Sequence, residues 1–166
     1  MTLRPRLLLV EDELTQQMTM ERLLTNAGYD VEIVGDGEQA LETVKTGHFD
    51  LLLTDWELPG MDGATLCRLV REAKLPSIYI LLLTSHSAVA RAVEGLRAGA
   101  NDFIRKPADE AELLARLDAG HRVVQPEPIT QHHHRAVEHP TDIVDRTADE
   151  LHQASVIHNS SFVPLS

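Results

Sequence analysis

Short apolar runs alternate with amphipathic segments along the first three quarters of the chain. Runs such as RLLLV and IYILLLT are too short for helices and rich in Leu and Ile, which is typical of strands buried in a sheet. Residues 29–34 instead alternate apolar and polar side chains, which favours a strand near the sheet edge. The predicted strands span 6–10, 29–34, 50–54, 78–84 and 101–105.

The segments between these runs carry apolar residues at helical spacing. The predicted helices span about 14–27, 37–46, 63–74, 87–98, and from 108 or 109 to 119. The expected buried stripe of the first is Met20, Leu23, Leu24 and Ala27, and the apolar positions of the fourth are Val89, Ala92, Val93 and Leu96.

Strands that alternate with helices of this length predict right-handed crossovers and a parallel sheet with helices on both faces. We therefore predict an α/β, doubly wound, five-stranded parallel sheet with five helices. Of the two common strand orders of such sheets, we expect 2-1-3-4-5, the flavodoxin-like one. The first and third strands are then neighbours at the switch point, where such sheets bind ligands beyond the carboxyl ends of the strands.

Polar residues stand directly after four of the predicted strands. Glu11 and Asp12 follow the first strand, Asp55 follows the third, Thr84 ends the fourth and Lys106 follows the fifth. Taken singly, the acids and the lysine are ordinary solvated residues and the threonine an ordinary strand end. Together, at one edge of a parallel sheet, they form a specific constellation of carboxylates, a hydroxyl and an amine.

The motifs around these residues resemble the receiver domain of two-component response regulators, the CheY-like family. The matching segments are LLLVEDE (7–13), LLLTDWELPGMDG (51–63), LLLTS (81–85) and Lys106-Pro107 after a strand that carries Phe103. The resemblance covers about residues 5–122. It implies Asp55 as phosphoacceptor, Glu11 and Asp12 at the metal, and Thr84 and Lys106 on the phosphate.

The resemblance also implies a cis peptide bond before Pro107 and a switch function for Thr84 and Phe103. For Phe103 the alternative of a plain core aromatic stays open.

The chemistry agrees with these assignments. A carboxylate that attacks phosphorus meets an anionic donor, so a divalent cation and a positive side chain are needed. Asp12, Asp55 and the backbone carbonyl of Glu57 can hold Mg²⁺, with Glu11 acting through a water. Lys106 supplies positive charge and Thr84 a hydroxyl.

Composition limits the other functions. Aromatic residues are 4% of the chain, so we expect an aliphatic core, and the net charge of −11 without a basic patch argues against nucleic-acid binding. The sequence has neither a membrane-spanning stretch nor a signal-peptide pattern, so we expect a soluble, cytoplasmic protein. Cys67 is the single cysteine, which excludes an intrachain disulfide.

The sequence changes character near residue 123, so we expect a receiver domain at 1–122 and a histidine-rich linker or tail at 123–166 with a possible helix at 141–157. The tail can be a solvated linker, a tether to a partner or a helix that packs on a second copy of the chain. A zinc site at His132, His133, His134 and His139 is disfavoured because consecutive histidines cannot all face one ion.

The leading hypothesis is a phosphorylation-switched protein, not itself an enzyme with an output domain. It accepts phosphate from a sensor histidine kinase or phosphotransfer protein and signals by protein contact or self-association through its strand-five face. The alternative is a phosphorylation-independent interaction module with a receiver fold. An aspartyl-phosphate hydrolase is disfavoured because the usual Asp-x-Asp form is missing at Asp55, where Glu57 stands two positions on. Flavodoxin-like cofactor binding is disfavoured because the sequence lacks a phosphate-cradling loop.

Overall fold

The computed structural model describes residues 3–85 and 89–125, which form five strands and five helices in strict alternation. The strands are β1 (Arg6–Val10), β2 (Asp30–Val34), β3 (Leu51–Asp55), β4 (Tyr79–Thr84) and β5 (Asp102–Arg105). The helices are α1 (Leu14–Asn26), α2 (Gly37–Thr46), α3 (Gly63–Glu72), α4 (Val89–Ala98) and α5 (Glu110–Val124).

All strand pairs are parallel and the sheet order is β2-β1-β3-β4-β5, which confirms the predicted flavodoxin-like topology and the edge position of β2. The register pairs Val10 with Thr54, Asp55 with Leu83, and Thr84 with Arg105. The carboxyl ends of β1, β3, β4 and β5 therefore meet at one edge of the sheet.

The three inner strands are buried on both faces, because alternate residues enter two different core layers. Leu8, Leu52 and Leu82 pack with residues of α2 and α3 on one face. Leu9, Leu53 and Leu81 pack with residues of α1 and α5 on the other. The core is mainly aliphatic, as predicted, and Cys67 is buried in the first layer, where burial raises the pKa of its thiol to about 12.

The apolar positions of α4 do not form a buried stripe. Its apolar side chains Val89, Val93 and Leu96 are exposed, and Ala92 is only partly buried. The buried residue of this helix is Gly95, because a Cβ there would lie 2.8 Å from the Trp56 ring and 2.7 Å from Leu82. The Trp56 ring fills the space that an inward side chain of α4 would take.

Three helix ends also differ from the prediction, and one of them is that of α3, which ends at Glu72 and not at residue 74. Ala27 is exposed at the C-cap of α1 and lies outside the buried stripe. Helix α5 continues to Val124, past both the predicted end at residue 119 and the expected domain boundary at 122. Residues 87 and 88 of the predicted fourth helix, and nearly all of the tail with its possible helix at 141–157, lie outside the described residues. Within the described ranges, no helix has the length and apolarity required to span a membrane.

Candidate functional site

Asp55 ends β3 with its side chain held by main-chain geometry. It is 7% exposed, and its Oδ1 accepts a hydrogen bond from the backbone N–H of Glu57 at 3.2 Å. The Thr54 hydroxyl donates to the Asp55 carbonyl at 3.0 Å, and the Trp56 N–H donates to the Leu83 carbonyl at 2.7 Å. The end of β3 is thus fixed on both sides of the carboxylate.

Gly63, the first residue of α3, allows this helix to approach the end of β3 closely. A Cβ at Gly63 would lie 2.5 Å from the Asp55 carbonyl oxygen, and the Gly63 N–H donates to the Trp56 carbonyl at 2.8 Å. Asp62 caps the helix by accepting from the Thr65 N–H at 2.7 Å. Asp62 and Gly63 therefore allow α3 to begin in close contact with the backbone of Asp55.

Glu11, Asp12 and Asp55 form a carboxylate cluster in which one oxygen of each lies within 4.8 Å of the others. Asp12 is exposed, whereas Glu11 is 2% exposed and accepts from the Glu13 N–H at 3.1 Å. Three hard oxygen donors, one of them facing solvent, suit a magnesium ion that keeps some of its waters. The donor set therefore fits Mg²⁺.

Lys106 brings positive charge to this cluster. Its Nζ forms an ion pair with Asp55 Oδ2 and lies 3.4 Å from Glu11 Oε2 and 3.1 Å from Gln16 Oε1. Its backbone N–H donates to the Thr84 carbonyl at 2.8 Å, which joins the residue after β5 to the end of β4. Main-chain contacts thus bring Lys106 to the sheet edge where the acids lie.

The same contacts shift the acid–base properties of two groups. Burial raises the pKa of the Glu11 carboxyl, although the Glu13 N–H and the Lys106 charge oppose this shift. Burial alone would lower the pKa of Lys106, but its hydrogen bond to Asp55 and the charges of Asp55 and Glu11 raise it. Lys106 is therefore a firmly protonated ammonium.

The remaining predicted residues lie on β4, on β5 and in the segments that follow β3 and β5. Thr84 ends β4 and is 2% exposed, and the Lys106-Pro107 peptide bond is cis. Phe103 lies beside Leu82 in the sheet and is partly buried against the core layer of α2 and α3. Glu57, whose carbonyl is the predicted metal ligand, lies two residues after Asp55 and contacts it through its N–H.

Two residues of α1 contact the site but were not predicted from the sequence. Gln16 contacts Lys106 as described, and the Gln17 side chain donates to the Glu11 carbonyl at 2.6 Å. A signal was present for Gln16, because Gln is favoured at the third helical position, where it can reach back to the N-cap. Its contact with a lysine 90 positions later requires the folded sheet.

A groove of about 530 Å³ opens beside the cluster, between α1 and the segment after β5. Its lining residues are Glu11, Thr15, Gln16, Thr19, Met20, Leu83, Lys106, Pro107 and Ala108. Lys106 therefore lines a groove that opens on the α1 side.

The sequence of this chain is similar to those of response regulators. The family model described as "Response regulator receiver domain" matches residues 7–118. The DNA-binding response regulator MtrA of Mycolicibacterium smegmatis is 37% identical over 127 residues, which are 76% of this chain and 55% of MtrA. The transcriptional regulatory protein DltR of Streptococcus agalactiae is 43% identical over 112 residues, which are 68% of this chain and 50% of DltR.

Among solved structures, the receiver domain of the sensor histidine kinase PA1611 from Pseudomonas aeruginosa has a TM-score of 0.65 and is 32% identical. The match covers 72% of this chain and 98% of that one, which holds a magnesium ion coordinated in its active site cleft. The chain spans about half the length of the curated relatives it matches.

Proposed function

The chain belongs to the response regulator receiver domain family of two-component systems, and from that premise we propose that Asp55 is its phosphoacceptor. The phosphoryl donor is a sensor histidine kinase or a histidine phosphotransfer protein. The observation that carries the proposal is the buried Asp55 carboxylate, held between two other acids and the Lys106 ammonium.

The reaction is an in-line transfer onto a carboxylate. An oxygen of Asp55 attacks phosphorus, and the P–N bond of the donor phosphohistidine breaks as the new P–O bond forms. The histidine nitrogen leaves with the electron pair of the broken bond. The Glu57 N–H and the Lys106 ammonium each contact one Asp55 oxygen, so the nucleophile has little freedom to turn away.

Asp12, Asp55 and the Glu57 carbonyl are the proposed ligands of Mg²⁺, and Glu11 is the acid proposed to act on the ion through a water. When bound, the ion neutralises charge on the transferring phosphoryl group. Lys106 adds fixed positive charge at the same place, and the Thr84 hydroxyl is the proposed donor to a phosphoryl oxygen.

Output follows through the face of α4, β5 and α5. Thr84 ends β4 and Phe103 lies on β5, so a shift of the threonine hydroxyl toward the phosphoryl group would vacate space for the aromatic ring. The exposed Val89, Val93 and Leu96 of α4 give this face apolar area for a protein partner or a second copy of the chain.

We assign the receiver function to residues 1–124, up to the end of α5, and we regard 125–166 as a linker or tether. The DNA binding named for MtrA belongs to a protein of which this chain covers 55%. For this chain, with a net charge of −11, we propose protein contact as the output and the cytoplasm as the location.

The test is chemical. The protein is incubated with acetyl phosphate and Mg²⁺, and the product is treated with hydroxylamine, which cleaves acyl phosphates and spares phosphate esters. We expect one phosphoryl group that hydroxylamine removes, and a change in self-association on labelling.

A phosphorylation-independent interaction module is the alternative. It predicts either no labelling or labelling without any effect on association, so sedimentation of labelled and unlabelled protein separates the two functions.

A further inference from the structure

The ammonium of Lys106 has a third partner that lies outside the predicted site. A lysine ammonium has three N–H donors. In the described part of the chain they meet three acceptors, which are Asp55, Glu11 and Gln16. The Gln16 Oε1 oxygen lies 3.1 Å from Nζ, closer than the Glu11 oxygen at 3.4 Å.

The Gln16 side chain is itself held in place. It belongs to the first turn of α1, and its Nε2 donates to the Glu13 carboxylate. The Glu13 N–H in turn donates to Glu11 at 3.1 Å. Because the amide nitrogen faces a carboxylate, the amide oxygen faces the ammonium, and the side chain links the start of α1 to Lys106.

Gln16 differs from the other two acceptors in one respect. Glu11 and Asp55 both belong to the proposed Mg²⁺ site, Glu11 through a water, so their carboxylates would serve the ion as well as Lys106. The Gln16 oxygen is outside that ligand set. It can therefore hold the long and flexible lysine side chain while the carboxylates serve the metal.

We propose that Gln16 is a positioning residue that keeps the Lys106 ammonium beside Asp55 during phosphoryl transfer. The proposal rests on the function proposed for Asp55. In this role the amide oxygen of Gln16 accepts a hydrogen bond from Lys106. The carboxylate of a glutamate at this position can also accept it, whereas the thioether of a methionine cannot.

The first experiment measures the reactivity of the lysines. The chain has three lysines, and Lys45 and Lys74 are exposed, so they serve as internal controls. Brief acylation with a hydroxysuccinimide ester, followed by peptide mass spectrometry, gives the reactivity of Lys106 relative to Lys74. We expect Gln16→Met to raise this ratio by about threefold to tenfold, the effect of one charge-assisted hydrogen bond at a partly exposed site, and by more in saturating Mg²⁺.

Two variants control for other causes. Gln16→Glu keeps an oxygen acceptor and should keep Lys106 protected. Thr19→Val changes another residue that lines the same groove without a contact to Lys106 and should leave the ratio unchanged. Methionine has nearly the helix propensity of glutamine, so Gln16→Met should not disturb α1.

The second experiment measures phosphorylation by acetyl phosphate at varied donor concentration. We expect Gln16→Met to lower the maximal rate by about threefold to tenfold with little change in the half-saturating concentration of acetyl phosphate. The reason is that a displaced ammonium no longer stabilises the negative charge of the transition state.

An unchanged Lys106 reactivity in Gln16→Met, or an equal rise in Thr19→Val, would overturn the positioning role. If the wild-type protein takes no phosphate but Lys106 becomes reactive only in Gln16→Met, the phosphoacceptor function fails and the positioning contact stands.

Discussion

Replacement of Gly63 by alanine tests whether the close approach of α3 fixes the backbone of Asp55. The added Cβ would lie 2.5 Å from the Asp55 carbonyl oxygen. This distance is about 0.5 Å shorter than 3.0 Å, below which Cβ contacts are essentially never observed in proteins. It would also lie 2.9 Å from Leu82 and 3.0 Å from the Trp56 Cα. Two of these three neighbours are backbone atoms, so no rotamer change relieves the clash.

The magnitude follows from two opposed effects. Overpacking of a well-packed site costs about 1–3 kcal/mol, and a backbone neighbour held by the Thr54 and Leu83 hydrogen bonds puts Gly63→Ala toward the upper end. The gain in helix propensity is at most about 1 kcal/mol and smaller at the first helical residue. We expect a net loss of about 2 kcal/mol in the free energy of unfolding, or about 8 °C in Tm.

Urea unfolding of wild type, Gly63→Ala and Gly35→Ala measures the change in the free energy of unfolding. Gly35 is a matched control, because a Cβ there meets no described atom within 4 Å. Gly35→Ala should leave stability unchanged or raise it by up to about 1 kcal/mol. If Gly63→Ala is as stable as Gly35→Ala, then α3 shifts freely and the reasoning is refuted.

Three further predictions concern the site itself. Asp12→Ala should weaken Mg²⁺ binding at least tenfold, about 1.4 kcal/mol, in a titration followed by the fluorescence of Trp56, and unchanged affinity would mean that the acid is only surface charge. The raised pKa of Glu11 stabilises the metal-free fold below pH 4.5, and this contribution is lost as the pH rises through the raised value. Glu11→Gln should therefore gain stability relative to wild type between pH 4.5 and neutral pH in denaturant titrations, and a difference independent of pH would contradict this. Phosphorylated Thr84→Ala should show smaller changes in amide-exchange protection on α4, β5 and α5 than phosphorylated wild type, and equal changes would exclude the threonine switch.

The fold was predictable because its pattern is local. Each inner strand is a short aliphatic run, each helix has apolar residues at helical spacing, and the strict alternation leaves few topologies. The strand ends then place Glu11, Asp12, Asp55 and Lys106 at one edge without any knowledge of side-chain contacts.

The sequence pattern is insufficient where one side chain decides the packing of another element. The apolar residues of α4 followed the helical pattern, but the Trp56 ring occupies the space beneath the helix and leaves room only for Gly95. The predicted end of α5 before Gly120 was wrong for a similar reason. Gly120 is buried in contact with the Tyr79 ring, so glycine serves close packing there and the helix continues.

The role of Gln16 could not be predicted either. Its position in the first turn of α1 is visible in the sequence, but its contact with Lys106 depends on how far the lysine reaches from β5. Hydrogen bonds between residues distant in the chain are fixed by the packed sheet and leave no local pattern.

The most direct test of the account is the intact mass of the protein after incubation with acetyl phosphate and Mg²⁺. Wild type and Asp55→Asn are compared with Asp62→Asn, which removes an exposed acid that caps α3 but keeps a capping side chain. We predict that wild type and Asp62→Asn gain one phosphoryl group and that Asp55→Asn gains none. Equal labelling of Asp55→Asn and wild type would contradict the assignment of Asp55 as the phosphoacceptor.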